Sequence, residues 1–335
     1  MRLTPLLALL PVLAVLTGGP APAGAVTTTA TATATATATV FSPNPVATLH
    51  DESLTDQKDA DYPALAAAYK TVTLTHLDGS GYLHGDYAYV DSSTGPLAQG
   101  TFTYHRNDDR FEQVMAYYWA TQAQLYLQEL GFTNVNNEPQ RMKIDQYGVD
   151  NSYYNGAKRD DLLKFGKGGV DDAEDAEVIL HEYGHAIQDS QVPGFGSTPD
   201  AGAIGEGFGD YWAQAVSTRY APTPDESCIA DWDSISYTAG PVHCLRRTDG
   251  TKTYPGSLIG EVHADGEIWS SALNGVRTAL GATRADTAIV KAQFGFAVDT
   301  TMPAAAATTV ATVRALYGRA AASAATAAFH ARGLA

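Results

Sequence analysis

The chain has 335 residues, of which 44% are hydrophobic, so it is long enough to bury one large core or two lobes that share a cleft. Its formal net charge is -16 and its isoelectric point is near 4.8. Because nucleic acids and anionic membrane surfaces bind clustered Lys and Arg, this acidity argues against both as partners.

The first 25 residues have the pattern of a secretory signal peptide. Met1 and Arg2 precede a short leucine-rich apolar run, and small residues follow as far as Ala25. The run is too short to anchor the chain stably in a bilayer, so we predict cleavage after Ala25 and secretion of the bacterial type. The rest of the sequence has no apolar run of membrane-spanning length, and we expect no membrane partner.

Residues 26–40 alternate between Thr and Ala. Because their apolar groups are only methyl-sized, this tract is predicted to be a flexible linker, with ordered structure from about Phe41. From Tyr69 to Tyr104, apolar and polar residues alternate with period two between Gly and Asp clusters, which predicts β-strands. Residues 41–190 are therefore expected to form a β-rich N-terminal lobe.

Helical spacing of apolar residues begins at Arg110 and prevails in the second half of the chain. The first helix is predicted to run to Gly131, and a second one from Asp172 to Asp189. Further helices are predicted over residues 203–220, 264–280, 285–296, 304–317 and 319–332. Residues 191–335 are accordingly expected to form a mostly helical C-terminal lobe, which makes the fold class α+β with two lobes.

Cys228 and Cys244 are the only cysteines of the sequence. They lie in a segment rich in turn-forming residues, and export would place them in an oxidising compartment, so a disulfide between them is predicted. A pair of thiolate metal ligands is the alternative, although neither Cys lies in a C-x-x-C pattern.

The sequence His181-Glu182-Tyr183-Gly184-His185 has the spacing H-E-x-x-H within the second predicted helix. Residues four apart in a helix lie on one face, so both imidazoles can bind a single ion while Glu182 is rotated to the side. Two surface histidines on one helix are the alternative interpretation.

A catalytic zinc ion needs a third protein ligand and an open fourth position for water. Glu206 and Asp210 lie four residues apart in the segment G-E-G-F-G-D, which opens the next predicted helix. Glu206 is the predicted third ligand, and Asp210 is predicted to accept the ring N–H of a liganding His. A mere exposed carboxylate is the alternative interpretation of Glu206.

These two segments resemble the thermolysin-like and fungalysin-like zinc endopeptidases, which are gluzincins, and the resemblance covers most of the chain after the linker. It implies a two-lobed fold with the H-E-x-x-H helix at the junction of the lobes, one catalytic zinc ion and a protein or peptide substrate. It also implies that Glu182 is the general base of peptide hydrolysis.

The resemblance implies roles for four further residues. Asn151 and Ser152, in D-N-S-Y-Y-N-G, match an edge strand that binds the substrate backbone after the cleaved bond, with an ordinary Asn-rich turn as the alternative. His263, in E-V-H-A-D-G-E, matches the His that stabilises the transition state, with a solvent-facing His as the alternative. Arg246 matches the Arg that binds the substrate carbonyl better than Arg247 does.

The chain also departs from the thermolysin pattern. The range 187–205 lacks the Tyr that helps to hold the oxyanion, and Leu258 stands where an acid orients the catalytic His. We expect Glu261 or Asp249 to replace that acid. Calcium remains open as a second metal, because Glu177 lies one helical turn before the first liganding His, where a calcium-binding carboxylate can occur.

We therefore expect a secreted, monomeric zinc metalloendopeptidase. Two alternatives remain: a catalytically weak exported zinc-binding module, and an aminopeptidase or small-ester hydrolase on the same metal site. From the resemblance alone, the preferred residue after the cleaved bond is expected to be hydrophobic.

Overall fold

The computed structural model describes residues 34–92, 94–156 and 161–335, which pack as one compact unit. The first half contains β1 (Ala34–Phe41), α1 (Pro45–Leu49), β2 (Tyr69–Leu77), β3 (Ala88–Val90), α2 (Arg110–Glu129), β4 (Gln140–Lys143), β5 (Tyr153–Asn155) and β6 (Leu162–Lys164). The second half contains α3 (Ala176–Gln191), α4 (Pro199–Tyr220), β7 (Cys228–Ile229), β8 (Arg246–Arg247), α5 (Val262–Leu280), α6 (Ala282–Gln293) and α7 (Met302–His330). This order confirms the α+β class with a β-rich first lobe and a mostly helical second lobe. No helix within these described ranges is long and apolar enough to cross a membrane.

The prediction of a flexible Thr/Ala linker over residues 26–40 is wrong for the part from Ala34 onward. β1 pairs antiparallel with β2, and Ala38 and Val40 in it are completely buried. β1 also contacts α2. Its small side chains are sufficient for a buried strand because the long helix packs directly on them. The remaining linker residues and the predicted signal peptide lie outside the described residues.

A four-stranded sheet has the order β3-β4-β6-β5, in which β5 is an edge strand that runs antiparallel to β6. The edge strand expected around residues 150–156 is thus present as Tyr153–Asn155, and Asn151 and Ser152 directly precede it. The end of the alternating segment, close to Tyr104, was predicted to be a strand but is not one. Phe102 in that segment forms an isolated bridge with Ala38 instead of a strand.

Glycines allow α4 to pack closely against both α3 and α5. A Cβ atom on Gly184 of α3 would lie 2.9 Å from the Cα atom of Gly209, and one on Gly207 would lie 2.3 Å from the carbonyl oxygen of Gly266 in α5. Any larger side chain would force these helices apart. The close packing places Glu206 of α4 next to the H-E-x-x-H face of α3.

The start of one helix differs from its prediction, whereas the break between the last two helices agrees with it. The second predicted helix starts at Ala176 instead of Asp172, because Asp172–Glu174 form a 3-10 turn and Asp175 caps α3 by accepting a hydrogen bond from the amide of Glu177. The last two predicted helices, over residues 304–317 and 319–332, correspond to the two parts of α7, which is interrupted at Gly318, where φ is 83°.

The predicted disulfide between Cys228 and Cys244 is present. It joins the two sides of the loop between β7 and β8, where Ile229 pairs with Arg246. The bridge therefore holds β8, and with it Arg246, against the second lobe. A cross-link of this loop length stabilises a folded chain by about 3 kcal/mol in the chain-entropy account.

Candidate metal centre and active site

Three ligand-type side chains converge between α3 and α4. His181 and His185 lie one turn apart on α3, and Nε2 of His181 is 3.2 Å from Oε2 of Glu206. Nε2 of His185 is 3.6 Å from the other oxygen of the same carboxylate. Tetrahedral ligands bonded at 2.0–2.1 Å to zinc lie about 3.3 Å from one another. The three side chains therefore fit a single zinc ion with little movement.

The charges of these side chains also suit a bound cation. Burial lowers the pKa of His185 to about 4, so its ring is neutral, as a metal ligand must be. Burial also lowers the pKa of His181, but the carboxylates of Asp210 and Glu206 outweigh it and raise that pKa to about 10. Within the described ranges, Oε2 of Glu206 is buried without a hydrogen bond. A positive charge is favoured between these atoms, and a divalent ion supplies it.

Asp210 orients the first histidine from behind. Its Oδ1 lies 2.8 Å from Nδ1 of His181, and its side chain is completely buried. Burial raises the pKa of Asp210, but the charges of Arg246 and His181 lower it to about 2, so the group is ionised. An ionised Asp210 accepts the Nδ1–H of the ring and directs Nε2 toward Glu206 and His185.

Glu182 lies beside the ligands and is 7% exposed. Its Oε2 has no hydrogen-bond partner in the part of the chain that the structure describes. Burial is the largest cause that raises its pKa to about 7, and the charge of His181 opposes this rise. A carboxylate with an unused oxygen in this position can accept a proton from a molecule in the cleft.

His263, in the first turn of α5, reaches the same group of side chains. Its Nε2 is 3.4 Å from Oε2 of Glu206, and its Nδ1 is 2.6 Å from Oε1 of Glu261, the N-cap of α5. Asp249, the other acid expected to orient this ring, pairs with Arg247. The structure therefore places Glu261, and not Asp249, beside His263.

Arg246 lies next to the site, but most of its guanidinium group pairs with Asp210 instead of facing the open cleft. Its Nε and Nη2 donate to Asp210 over 2.7 and 2.8 Å. Its Nη1 makes no hydrogen bond to the residues that the structure describes, and the side chain lines the cleft. Arg247 instead pairs with Asp225, away from the cleft. The pairing of Arg246 with Asp210 was missed by the sequence reasoning, because the spacing of the two residues gives no sign of it.

The cleft consists of two cavities of about 690 and 500 Å³. Both cavities are lined by Asn151 and Ser152, the predicted substrate-binding pair. His181, Glu182 and His263 also line both of them. The structure thus brings the predicted edge-strand residues next to the metal ligands, and the cleft extends to both sides of them.

Glu177, at which a calcium site remained open, is held by donors of the chain itself. Oε1 of Glu177 accepts a hydrogen bond from Ser217 over 2.8 Å, and Oε2 accepts one from the amide of Ala230 over 2.9 Å. Among residues 34–92, 94–156 and 161–335, no group of side chains that could hold a metal includes Glu177. Protein donors already satisfy this carboxylate.

Sequence reasoning also missed three aspartates near the ligands. Asp150, Asp172 and Asp233 line the smaller cavity and have carboxylate oxygens within 4.8 Å of one another. They lie 22 and 61 residues apart along the chain, and no spacing motif connects them.

Comparison with known proteins agrees with this geometry. Residues 166–305, which include the three ligand candidates, match the family model of the fungalysin metallopeptidases (M36). Among solved structures, the chain is similar to the precursor of protealysin, a metalloproteinase from Serratia proteamaculans. That similarity has a TM-score of 0.58 and 18% sequence identity, and it covers 89% of this chain and 99% of the other. No curated protein matches the chain. The chain is thus similar to the fungalysin metallopeptidases over the segment that holds the three ligand candidates, and it shares its fold with the protealysin precursor.

Proposed function

We propose that the chain is an exported zinc endopeptidase in which His181, His185 and Glu206 hold the metal and Glu182 is the general base. The observation that carries this proposal is the convergence of two Nε2 atoms on one carboxylate at near-tetrahedral spacing, with a buried and unpartnered Glu182 oxygen beside them. The acidic net charge, the signal-like first 25 residues and the disulfide support export.

A zinc ion held by His181, His185 and Glu206 would supply Lewis-acid polarisation of the scissile carbonyl and would lower the pKa of a bound water molecule to about 7. Glu182 accepts a proton from the attacking water and passes it to the leaving amine. His263 donates from Nε2 to the oxyanion that develops on the carbonyl, while Glu261 accepts a hydrogen bond from Nδ1 and holds the ring in place. Without the Tyr of the thermolysin pattern, His263 carries a larger share of this stabilisation.

The substrate backbone is proposed to lie along the edge strand. Asn151 and Ser152, directly before β5, line both cavities and can bind the peptide that follows the cleaved bond. Arg246 contributes its Nη1 to a substrate carbonyl while Asp210 fixes the rest of its guanidinium. Glu177 has no role in this mechanism, because its carboxylate is already bound by Ser217 and Ala230.

The shape of the cleft favours cleavage within a peptide over removal of a terminal residue. An aminopeptidase needs a closed end with a group that binds the free amine. Here cavities of about 690 and 500 Å³ meet at Glu182 and His263, so a chain can extend past the ligands in both directions. We therefore propose endopeptidase action on unfolded proteins.

Replacement of Glu182 by Gln tests the proposal. The variant should retain zinc, because Glu182 is not a ligand, while casein hydrolysis falls by about 10²–10⁴-fold. Glu129→Gln is a matched control, because it makes the same substitution at an exposed residue that pairs with Arg219. Substantial casein hydrolysis by zinc-loaded Glu182→Gln would remove the base assignment.

A further inference from the structure

The smaller cavity of the cleft has an acidic end built from three aspartates. Asp172 lies in the 3-10 turn before α3, Asp233 in the short helix after β7, and Asp150 just before the edge strand. Asp172 is 2% exposed and Asp233 is 4% exposed, whereas Asp150 is partly exposed. The two buried carboxylates therefore form the inner part of the cluster.

Each buried carboxylate has one unsatisfied oxygen. Oδ2 of Asp172 accepts a hydrogen bond from the hydroxyl of Ser152, and Oδ2 of Asp233 accepts one from Tyr237 over 2.7 Å. The Oδ1 atoms of Asp172 and Asp233 are buried and have no hydrogen bond to any described residue. A buried polar atom without a partner is destabilising, so these two oxygens indicate a donor that is supplied from outside the chain.

No side chain of the cavity neutralises the cluster. Of the described residues that line it, Arg246 is the one with a permanent positive charge, and its Nε and Nη2 already pair with Asp210. Burial is the largest cause that raises the pKa of Asp172 to about 8 and that of Asp150 to about 6. A cation beside these groups would lower both pKa values and favour the ionised carboxylates.

Part of the wall of this otherwise polar cavity is apolar. Val178, Ile229 and Leu245 line it, and its volume is about 500 Å³. Lys and Arg combine an aliphatic stem with a cationic head, so they can contact apolar walls while the head pairs with the carboxylates. A metal ion would use neither the apolar walls nor most of this volume, because calcium binds six to eight oxygens at 2.3–2.6 Å.

The position of the cavity indicates which substrate residue enters it. Asn151 and Arg246, proposed above to bind the peptide after the cleaved bond, both line it, as do Glu182 and His263. The side chain that fits here is therefore that of the residue directly after the scissile bond.

We propose that this cavity selects Lys or Arg as the residue immediately after the cleaved bond, with Asp172 and Asp233 pairing with the cationic head. This proposal rests on the zinc endopeptidase function proposed above. It replaces the hydrophobic preference that the family resemblance implied.

A series of peptides that differ only in the residue after the scissile bond tests the proposal with the zinc-loaded enzyme. Norleucine is the matched comparison for Lys, because it has a similar aliphatic stem without the charge. We expect kcat/KM to be at least about tenfold higher for Lys and Arg than for norleucine, the size of one well-placed charged contact. Equal or better cleavage before norleucine would overturn the proposal.

Variants locate the preference in the cluster. Asp172→Asn and Asp233→Asn, made separately so that one misfolded variant does not decide the result, should each bring the Lys to norleucine ratio toward one. Asp299→Asn, which removes the same charge from an exposed loop, should leave the ratio unchanged. A wild-type ratio in both cluster variants would contradict the proposal.

A binding measurement separates this proposal from the proposed function. The zinc-loaded Glu182→Gln variant should bind the Lys peptide more tightly than the norleucine peptide, and this readout needs no turnover. If the wild-type enzyme cleaves neither peptide while Glu182→Gln binds the Lys peptide more tightly, only the endopeptidase function is refuted. Equal binding of the two peptides by Glu182→Gln would refute the proposed specificity. Calcium binding by the wild type that is lost in Asp172→Asn would also overturn the proposed specificity, because the three aspartates would then form a metal site.

Discussion

Oδ1 of Asp210 lies 2.8 Å from Nδ1 of His181, so a fully buried carboxylate holds the imidazole of the first proposed metal ligand in place. The same carboxylate accepts two hydrogen bonds from Arg246. Asp210 therefore connects a proposed metal ligand on α3 with a residue of the proposed substrate cleft on β8. Its position explains why an acidic residue follows Glu206 by one helical turn.

Asp210→Asn should weaken zinc binding by about 10–100-fold, because the neutral amide no longer fixes the tautomer of His181 or increases the basicity of its ring. Competition for zinc with a chromophoric chelator measures the change. Asp225→Asn is the control, since Asp225 also pairs with an arginine, Arg247, but outside the site. Equal zinc affinities for wild type and Asp210→Asn would show that this contact does not support the metal.

His263→Ala should lower kcat by about 10²–10³-fold with a smaller effect on KM, because its contact with the substrate oxygen forms mainly in the transition state. Glu261→Gln should reduce kcat less, since the amide oxygen can still accept from Nδ1 of His263. Asp249→Asn should leave kcat unchanged. Steady-state kinetics on one peptide compares the three variants, and a loss in Asp249→Asn as large as that in Glu261→Gln would contradict the assignment.

The convergence of the three proposed metal ligands could be predicted in part because local helical geometry places two of them on one face. The i, i+4 spacing puts His181 and His185 on one face whatever the rest of the fold does, and the same spacing relates Glu206 and Asp210. The glycines at 184, 207 and 209 are compatible with close packing of the two helices. Family resemblance then provided Asn151 and His263, which the structure places in the same cleft.

Features that depend on tertiary contacts could not be predicted in this way. The Thr/Ala tract has no large apolar residue before Val40, and it becomes a strand because α2 and β2 cover it. Phe102 lies in an alternating segment but forms an isolated bridge, since its neighbours lack a long partner strand. The cluster of Asp172 and Asp233 arises from the meeting of two short 3-10 helices, which leave no periodic pattern in the sequence.

Glu112 provides a test of buried charge away from the metal site. It is completely buried in α2, and among the described residues neither carboxylate oxygen has a hydrogen-bond partner. Burial is the largest cause that raises its pKa well above the usual range, and the charges of Asp171 and Asp145 add to it. Asp109 lies close to the carboxylates of Glu112 and Asp145, and the charge of Lys167 interacts with these acidic groups.

Because the pKa of Glu112 is higher in the folded than in the unfolded chain, its contribution to stability is full below the unfolded pKa and is lost as the pH rises. Glu112→Gln should therefore make the free energy of unfolding fall less between about pH 5 and pH 8, and should stabilise the chain by about 1–3 kcal/mol at the higher pH. Urea denaturation at both pH values measures this. A variant that is less stable than wild type at pH 8, and only when calcium is present, would indicate a bound ion instead.

We propose that His181, His185 and Glu206 bind one catalytic zinc ion. Metal analysis of the purified protein, combined with casein hydrolysis before and after treatment with 1,10-phenanthroline, tests it most directly. We predict one zinc ion per chain, loss of hydrolysis when the zinc is removed, recovery when it is restored, and no stoichiometric zinc in Glu206→Ala. Casein hydrolysis by protein that contains no stoichiometric metal would contradict the claim.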